Sequence, residues 1–448
     1  MTLQRDYRSL SIGTRRTYRL KTILFIANNR TGMSGELYLI NRIYDRFGEA
    51  IRLVLYNINC YYEPSEEKGF EVINTLSKTK VEANYRGHNQ SSYEYNGKSK
   101  RLLHKQIKNY FDLSKKMDKW EKEAEALLDQ TKPDLIVAYD DRIIDISLFV
   151  LKYAKARGIK IVRVPFATQE DYRVTLKDRK YRLDLKIGKG LDINKLALRI
   201  NPALANTLDG ETRLFYSLYT IFAAKKHGIL NEHPWVSGGG IEDISYCSSQ
   251  DEVELINHFS PGKKTEVTGL AEDYEILGLR ENRDDIRLML SEKYGYISEK
   301  VVIFALPQLM EHDMCAPDDQ HHNMDALVKI MTELYGRIYI SLHPRSKKED
   351  YSYLEDRYNA IFLEERLREV IPGADVFIST ETTSTMRWAG LLGIKWFPII
   401  TEEACHSMTP QNLENFRARL LGDKTFMEPI DGDSVRDIVD IIGKLVLS

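Results

Sequence analysis

Ile338-Tyr339-Ile340-Ser341-Leu342-His343-Pro344-Arg345 is a short apolar run ending in an imidazole and a guanidinium. Some thirty residues later Ala374-Asp375-Val376-Phe377-Ile378 runs likewise into Ser379-Thr380-Glu381-Thr382-Thr383-Ser384-Thr385. Each run has the length and apolar make-up of a buried strand. Ligands of open α/β sheets bind at the carboxyl ends of strands, where both polar clusters fall. The second cluster also opens a helix, read from Met386 to Leu392. Helix N-termini and Ser/Thr hydroxyls suit phosphate oxygens, and Arg or His⁺ offsets their charge. The stretch predicts a phosphate cradle of His343, Pro344, Arg345, Ser379, Thr380, Thr383 and Ser384. A structural turn at His343-Pro344 and plain N-capping by the hydroxyls are the alternatives, although seven consecutive polar residues exceed what a cap needs.

Outward from this stretch, strands alternate with helical patterns, the α/β signature. In the second half Val301–Leu306, Ile338–Leu342, Ala374–Ile378 and Lys395–Ile400 read as strands, with helices at Asp284–Tyr294, Asn323–Tyr335 and Leu363–Val370. In the first half Thr22–Asn28, Ile51–Tyr56, Asp134–Tyr139 and Lys160–Val164 read as strands, with helices through Tyr44, over Ser99–Gln130 and over Asp145–Arg157. Arg213–Lys226 has helical spacing, and Asp243–Cys247 and Thr265–Thr268 look like short strands. At 448 residues the chain is too long for one ordinary domain. The expected organisation is two Rossmann-like domains facing a central cleft, residues 1–268 and 269–425, with a C-terminal helix in 426–448 packing back on the first.

A formal net charge of -2 gives no global field for nucleic acid. Four cysteines, widely spaced, fit buried thiols in a reducing cytosolic compartment. No apolar run reaches membrane-spanning length, and no apolar segment follows the N-terminal arginines as in a signal peptide, so a cytoplasmic protein is expected. Lys98–Lys122 reads as a basic amphipathic helix, either a solvated face over ordinary core or a peripheral contact with the inner face of the membrane.

Further candidates follow strand ends. Asp140 and Asp141 emerge after a buried strand; adjacent carboxylates raise the pKa of one, which suits a catalytic base, and helix capping is the alternative. Gln308, Glu311 and His312 follow the second domain's first strand and are candidate donor contacts; no metal-ligand spacing occurs there, so no metal is expected. Glu364 or Glu365, placed before the hydroxyl cluster, would take ribose hydroxyls. Arg30, Gly32 and Ser34 lie in a glycine-containing turn after the first strand, either an acceptor contact or a plain βα turn. Gly238-Gly239-Gly240 marks a turn near the cleft.

His343-Pro344 resembles the His-Pro motif of bacterial sialyltransferases, which are GT-B-fold enzymes. Ser379–Thr385 resembles their Ser/Thr motif, and Tyr139-Asp140-Asp141 their paired-acid motif, with Arg142 standing where a glycine usually follows. The resemblance implies inverting transfer of a sialic-acid-like or Kdo-like sugar from a CMP donor (or a UDP donor) to a glycan or glycolipid acceptor. It assigns the base to Asp140 or Asp141 and the donor phosphate to His343, and it needs no cofactor or metal. Asn231-Glu232-His233-Pro234-Trp235, Glu242–Tyr246 and Val267-Thr268-Gly269 resemble a second family, the hydrolysing UDP-N-acetylglucosamine 2-epimerases. Their catalytic glutamate is absent from Val164–Thr168, with Glu170 and Asp171 the nearest acids. A non-catalytic nucleotide-sugar-binding subunit is the third expectation.

Overall fold

The computed structural model describes residues 19–27, 30–58, 61–63, 69–76, 103–169, 172–173, 176, 182–188, 192–295, 299–310, 314–343, 346–381, 383–422, 426 and 430–448. The strands of the first half are β1 (Lys21–Ala27), β2 (Ile51–Asn57), β3 (Glu71–Asn74), β4 (Leu135–Ala138), β5 (Lys160–Arg163), β6 (Ala205–Leu208), β7 (Glu211–Leu214), β8 (Ile244–Cys247) and β9 (Thr265–Val267). Those of the second are β10 (Val302–Ala305), β11 (Tyr339–Ser341), β12 (Ile361–Phe362), β13 (Val376–Thr380) and β14 (Lys395–Ile399). Two parallel sheets result, ordered β3-β2-β1-β4-β5-β8-β9 and β12-β11-β10-β13-β14, while β6 and β7 form a separate antiparallel hairpin. This is the GT-B-like arrangement of two Rossmann-like domains.

The helices that matter below are α1 (Arg30–Phe47), α2 (Leu103–Thr131), α3 (Ile146–Ala156), α4 (Lys195–Ile200), α5 (Leu218–Lys226), α6 (Asp273–Gly278), α7 (Arg283–Tyr294), α8 (Pro317–Tyr335), α9 (Leu367–Val370), α10 (Met386–Leu392) and α11 (Ile438–Leu447). A parallel sheet covered on both faces needs continuous apolar strands, and β1 is buried at every position after Lys21. Alternate residues serve the two faces. Phe25, Leu53 and Val137 pack under α1 and α11, and Leu24, Val54 and Ile136 under α2, α3 and α5. In the second domain Phe304, Ile340 and Ile378 face α8, and Ile303, Tyr339 and Phe377 face α7, α9 and α10.

The two sheets are held together by the segment between them. Ala271 belongs to the first domain's core and Ile276, on α6, to the second's. Arg387 of α10 is buried; its Nε donates to Asp273 Oδ2 at 2.6 Å and its Nη2 to the Ser248 carbonyl beyond β8 at 2.8 Å. One guanidinium therefore ties the second domain, the connecting helix and the first domain. Trp388 Nε1 adds a hydrogen bond to Glu272 at 3.0 Å. Across the cleft Arg368 of α9 pairs with Glu275 and lies 5.0 Å from the ring centre of Tyr38 on α1. The chain then returns: α11 packs on α1 so closely that a Cβ at Gly443 would stand 2.2 Å from Phe47 Cζ.

Several elements differ from the expected ones. Arg213 and Leu214 belong to β7, and the helix begins only at Leu218, because Asp209-Gly210, both at positive φ, turn the chain into a hairpin. The expected helix over Leu363–Val370 is confined to Leu367–Val370, preceded by the two-residue β12. Arg30–Gly35 is not a turn but the opening of α1, and Gly35 permits the approach of Phe166, whose Cγ would meet a Cβ at 2.4 Å. Capping of α3 falls to Asp145, whose carboxylate accepts from Ser147 N, and not to Asp140 or Asp141. The described cysteines, Cys247, Cys315 and Cys405, are free, and among the described residues no helix is long and apolar enough to cross a membrane.

Removing one member of a buried ion pair strands the other charge, at a cost of about 3–5 kcal/mol. Arg387→Ala is therefore expected to lower stability by about that amount and to decouple the domains, which urea unfolding would show as a lower first midpoint with a broadened or split transition.

Candidate functional site

In each sheet the strand order reverses once, between β1 and β4 and between β10 and β13. Crevices form at such switch points. At the second lies a cavity of about 1020 Å³ bounded by the carboxyl ends of β10, β11, β12 and β13, with α9 and α10 at its edge. Its polar lining includes Gln308, His343, Glu364, Glu365, Arg366, Ser379, Thr380, Thr383 and Thr385. The two sequence clusters separated by some thirty residues thus meet, because β11 and β13 flank β10.

The lining is held from behind. Gln320, fully buried on α8, donates to the Pro307 carbonyl at 2.6 Å and shapes the turn carrying Gln308. Gln308 lines the cavity, and its Oε1 is buried with no hydrogen-bond partner among the described residues. Ser379 is buried and its hydroxyl accepts from Trp396 Nε1 at 2.8 Å, so it braces the floor. Thr383 and Thr385 hydroxyls lie 3.0 Å apart at the start of α10. Glu381 is turned aside, accepting Thr401 N on both oxygens at 2.8 Å. Ser384 is exposed and outside the lining. Thr385 and Trp388 take part, as do Arg366 and Arg368, which the sequence reading did not single out. The arginines follow β12, too short a strand to leave an apolar signal.

Positive charge in the cavity lining comes from these arginines, beside two glutamates. Arg368 is compensated by Glu275, whereas the exposed Arg366 guanidinium forms no ion pair among the described residues. Glu365, expected to meet ribose hydroxyls, already accepts from Lys293 at 2.6 Å and from the Tyr294 hydroxyl at 2.8 Å. Burial would raise its carboxyl, but these hydrogen bonds hold it below the usual range. The exposed Glu364 shares Lys293 at 2.9 Å. Both glutamates line the cavity, and both already have a partner in Lys293.

The paired acids face elsewhere. Asp140 makes a bidentate pair with Arg142, both contacts at 2.9 Å, and accepts Arg142 N as well. Burial alone would raise its carboxyl; the charge and hydrogen bonds of Arg142 outweigh it, and Arg163 adds to them, so Asp140 stays ionised below the usual range. Asp141 turns inward. Gly238 N donates to its Oδ1 at 3.0 Å and Asn231 Nδ2 to its Oδ2 at 3.1 Å. The absence of a side chain at Gly240 is what admits it, since a Cβ there would lie 2.1 Å from Asp141 Oδ2. Burial, then the negative charges of Glu242 and Asp140, push its pKa up to about 8. Asp140 borders a pocket of about 430 Å³ with Arg142 and Tyr216, and Asp141 one of about 390 Å³ with Asn231 and His233. Neither pocket is the cradle.

Arg30, Gly32 and Ser34 stand at the opening of α1, at the carboxyl end of β1. Pro344, Arg345, Glu311, His312 and Thr382, with Glu170 and Asp171, lie outside the described residues. Another acid escaped the sequence reading. Glu36 on α1 is fully buried with both carboxylate oxygens unpartnered, and burial raises its pKa well above the usual value. One group of three potential metal ligands comes together among the described residues, Asp118, Glu121 and His227. Lys152 Nζ, 3.3 Å from Glu121 Oε1, already supplies positive charge there.

No protein-family model matches the chain, and no curated protein matches it. Among solved structures it is similar to UDP-N-acetylglucosamine 2-epimerase from Rickettsia bellii, at 13% identity over 96% of each chain with a TM-score of 0.46. It is similar also to UDP-GlcNAc 2-epimerase from Neisseria meningitidis bound to UDP-GlcNAc, at 12% identity over 95% of this chain and 99% of that one, TM-score 0.47. A third is UGT71G1 from Medicago truncatula complexed with UDP-glucose, at 11% identity over 95% of this chain and 97% of that one, TM-score 0.49.

The raised pKa of Asp141 has a stability consequence. The folded chain holds a proton there that the unfolded chain loses near pH 4, so the stabilisation is full below that pH and is lost as pH rises through about 8. Urea midpoints at about pH 5 and about pH 9 should fall more steeply with pH in wild type than in Asp141→Asn, which carries no titrating group.

Proposed function

We propose that the chain is a glycosyltransferase that seats a nucleotide-sugar donor in the cradle between β10 and β13 and passes the sugar to a polysaccharide or glycolipid acceptor across the cleft. The observation that carries this is the large cavity at the switch point, lined together by the Thr380, Thr383 and Thr385 hydroxyls, Gln308, His343 and Arg366. Gln308 Oε1 would accept from a base amine or sugar hydroxyl. His343, Thr380, Thr383 and Thr385 would meet phosphate oxygens, and Arg366 would offset their charge. With Arg368 already compensated, the described lining supports one phosphate better than two, hence a CMP-linked acidic sugar over a UDP-linked one.

Transfer with inversion calls for a base at the acceptor hydroxyl and charge stabilisation at the departing phosphate. We assign the base to Asp140, ionised at the carboxyl end of β4, with Arg142 releasing it as the acceptor enters. Asp141 positions this loop by filling the turn at Gly238–Gly240.

One observation favours a second reading, a hydrolysing UDP-N-acetylhexosamine 2-epimerase. Asn231, in a segment that carries the epimerase resemblance, donates its amide to Asp141 at 3.1 Å, and both border one pocket with His233. That reaction would release UDP with no acceptor present.

The two are separated by incubating the protein with a CMP-linked acidic sugar or with UDP-N-acetylglucosamine and following nucleotide release. CMP release stimulated by added glycan, lost on His343→Ala and reduced about 100-fold or more in kcat by Asp140→Asn with donor KM little changed, is the expected result. Acceptor-independent UDP release would establish the epimerase instead.

A further inference from the structure

A further cavity lies wholly in the first domain, apart from the pockets of Asp140 and Asp141. Between α2, α4 and α5 a groove of about 590 Å³ is walled by Ile107, Tyr110, Leu196, Ile200, Leu218 and Phe222. Its apolar side chains are not closed off by the fold: Ile107 is 48% exposed, Leu196 39% and Phe222 38%, and Phe111 beside them is 64% exposed. Contiguous exposed apolar surface of this kind marks a contact with something other than water. Deeper on the same helix Met117 is fully buried, so α2 spends its inner stripe on the core and carries Ile107 and Phe111 in addition.

The rim is cationic. Lys225 and Lys226 border the groove from the end of α5, and Lys108 lies beside Ile107 on α2. All three are exposed and none forms an ion pair among the described residues, although the chain as a whole carries a slight negative charge. Asp112 is the exposed acid nearest them along α2. Aromatic and aliphatic tips surrounded by uncompensated lysines are the composition of a surface that enters the headgroup layer of an anionic membrane. A protein partner with an acidic rim would also meet the charge. The groove, however, is open and apolar along its length, which suits acyl chains better than a folded acidic surface.

We propose that this face docks on an anionic phospholipid bilayer, with Ile107, Phe111, Leu196 and Phe222 at the acyl boundary and Lys108, Lys225 and Lys226 against lipid phosphates. The site lies apart from the nucleotide cradle and does not depend on what the cradle binds. Docking there would hold the cleft near the membrane, where a lipid-linked acceptor would be found.

The full chain is sedimented with vesicles of phosphatidylcholine alone and of an equal mixture with phosphatidylglycerol. Binding to the mixed vesicles only, weakened by added salt, is expected. Lys225→Glu/Lys226→Glu and, separately, Phe111→Ser/Phe222→Ser should each reduce it by about ten-fold or more. These positions are exposed, and circular dichroism of each variant checks that it folds. No sedimentation, equal binding to both vesicles, or variants that bind like wild type would overturn the proposal. So would a wild-type dimer that becomes monomeric in Phe111→Ser/Phe222→Ser, since the groove would then be covered by a second copy.

Discussion

Arg387 is the residue on which the relation of the two domains depends. Among the described residues its guanidinium, out of water, is satisfied by Asp273 and the Ser248 carbonyl. A buried charge tolerates no drift from its partners, so the connecting helix α6, the end of β8 and the start of α10 are fixed relative to one another. The cradle begins at that same helix: Trp388, next along α10, lines the cavity while its indole donates to Glu272. Donor binding in the cradle and the setting of the cleft are therefore mechanically adjacent. Arg368 repeats the theme at the rim, bordering the cavity on one side and resting on Tyr38 of the first domain on the other.

The cradle itself follows from strand order. A parallel strand buried on both faces must be apolar to its end, which pushes every polar residue of the region into the loops after the strand. Because β13 returns to the far side of β10 from β11, the loops after β11 and β13 diverge and leave a crevice that neither could enclose alone. The same logic operates in the first sheet, but there the loop after β4 closes on itself. Arg142 takes Asp140, and the Gly238–Gly240 turn takes Asp141.

Much of this was legible in the sequence. The long apolar strands, the two-domain rhythm and the polar clusters at His343 and Ser379–Thr385 could be read because each is a local pattern. The hairpin at Asp209-Gly210 carries a turn signal, whereas β12, two residues long, carries almost none. Arg366 and Arg368 were hidden for that reason. What could not be read was orientation. Asp140-Asp141 looks the same in sequence whether it faces a cleft or is folded inward, and the outcome depends on residues about a hundred positions away, Asn231, Gly238 and Gly240. Glu36 is the same lesson reversed: an ordinary acid in a helix, buried without a partner by the packing around it.

The account rests on the cradle between β10 and β13 being where nucleotide binds. A crystal structure of the protein with CMP tests it most directly. Density for the nucleotide against Gln308, Thr380 and Arg366, with its phosphate at the carboxyl ends of β11 and β13, is the predicted result. Nucleotide seated in the pocket of Asp141, Asn231 and His233, with the cradle empty, would contradict it.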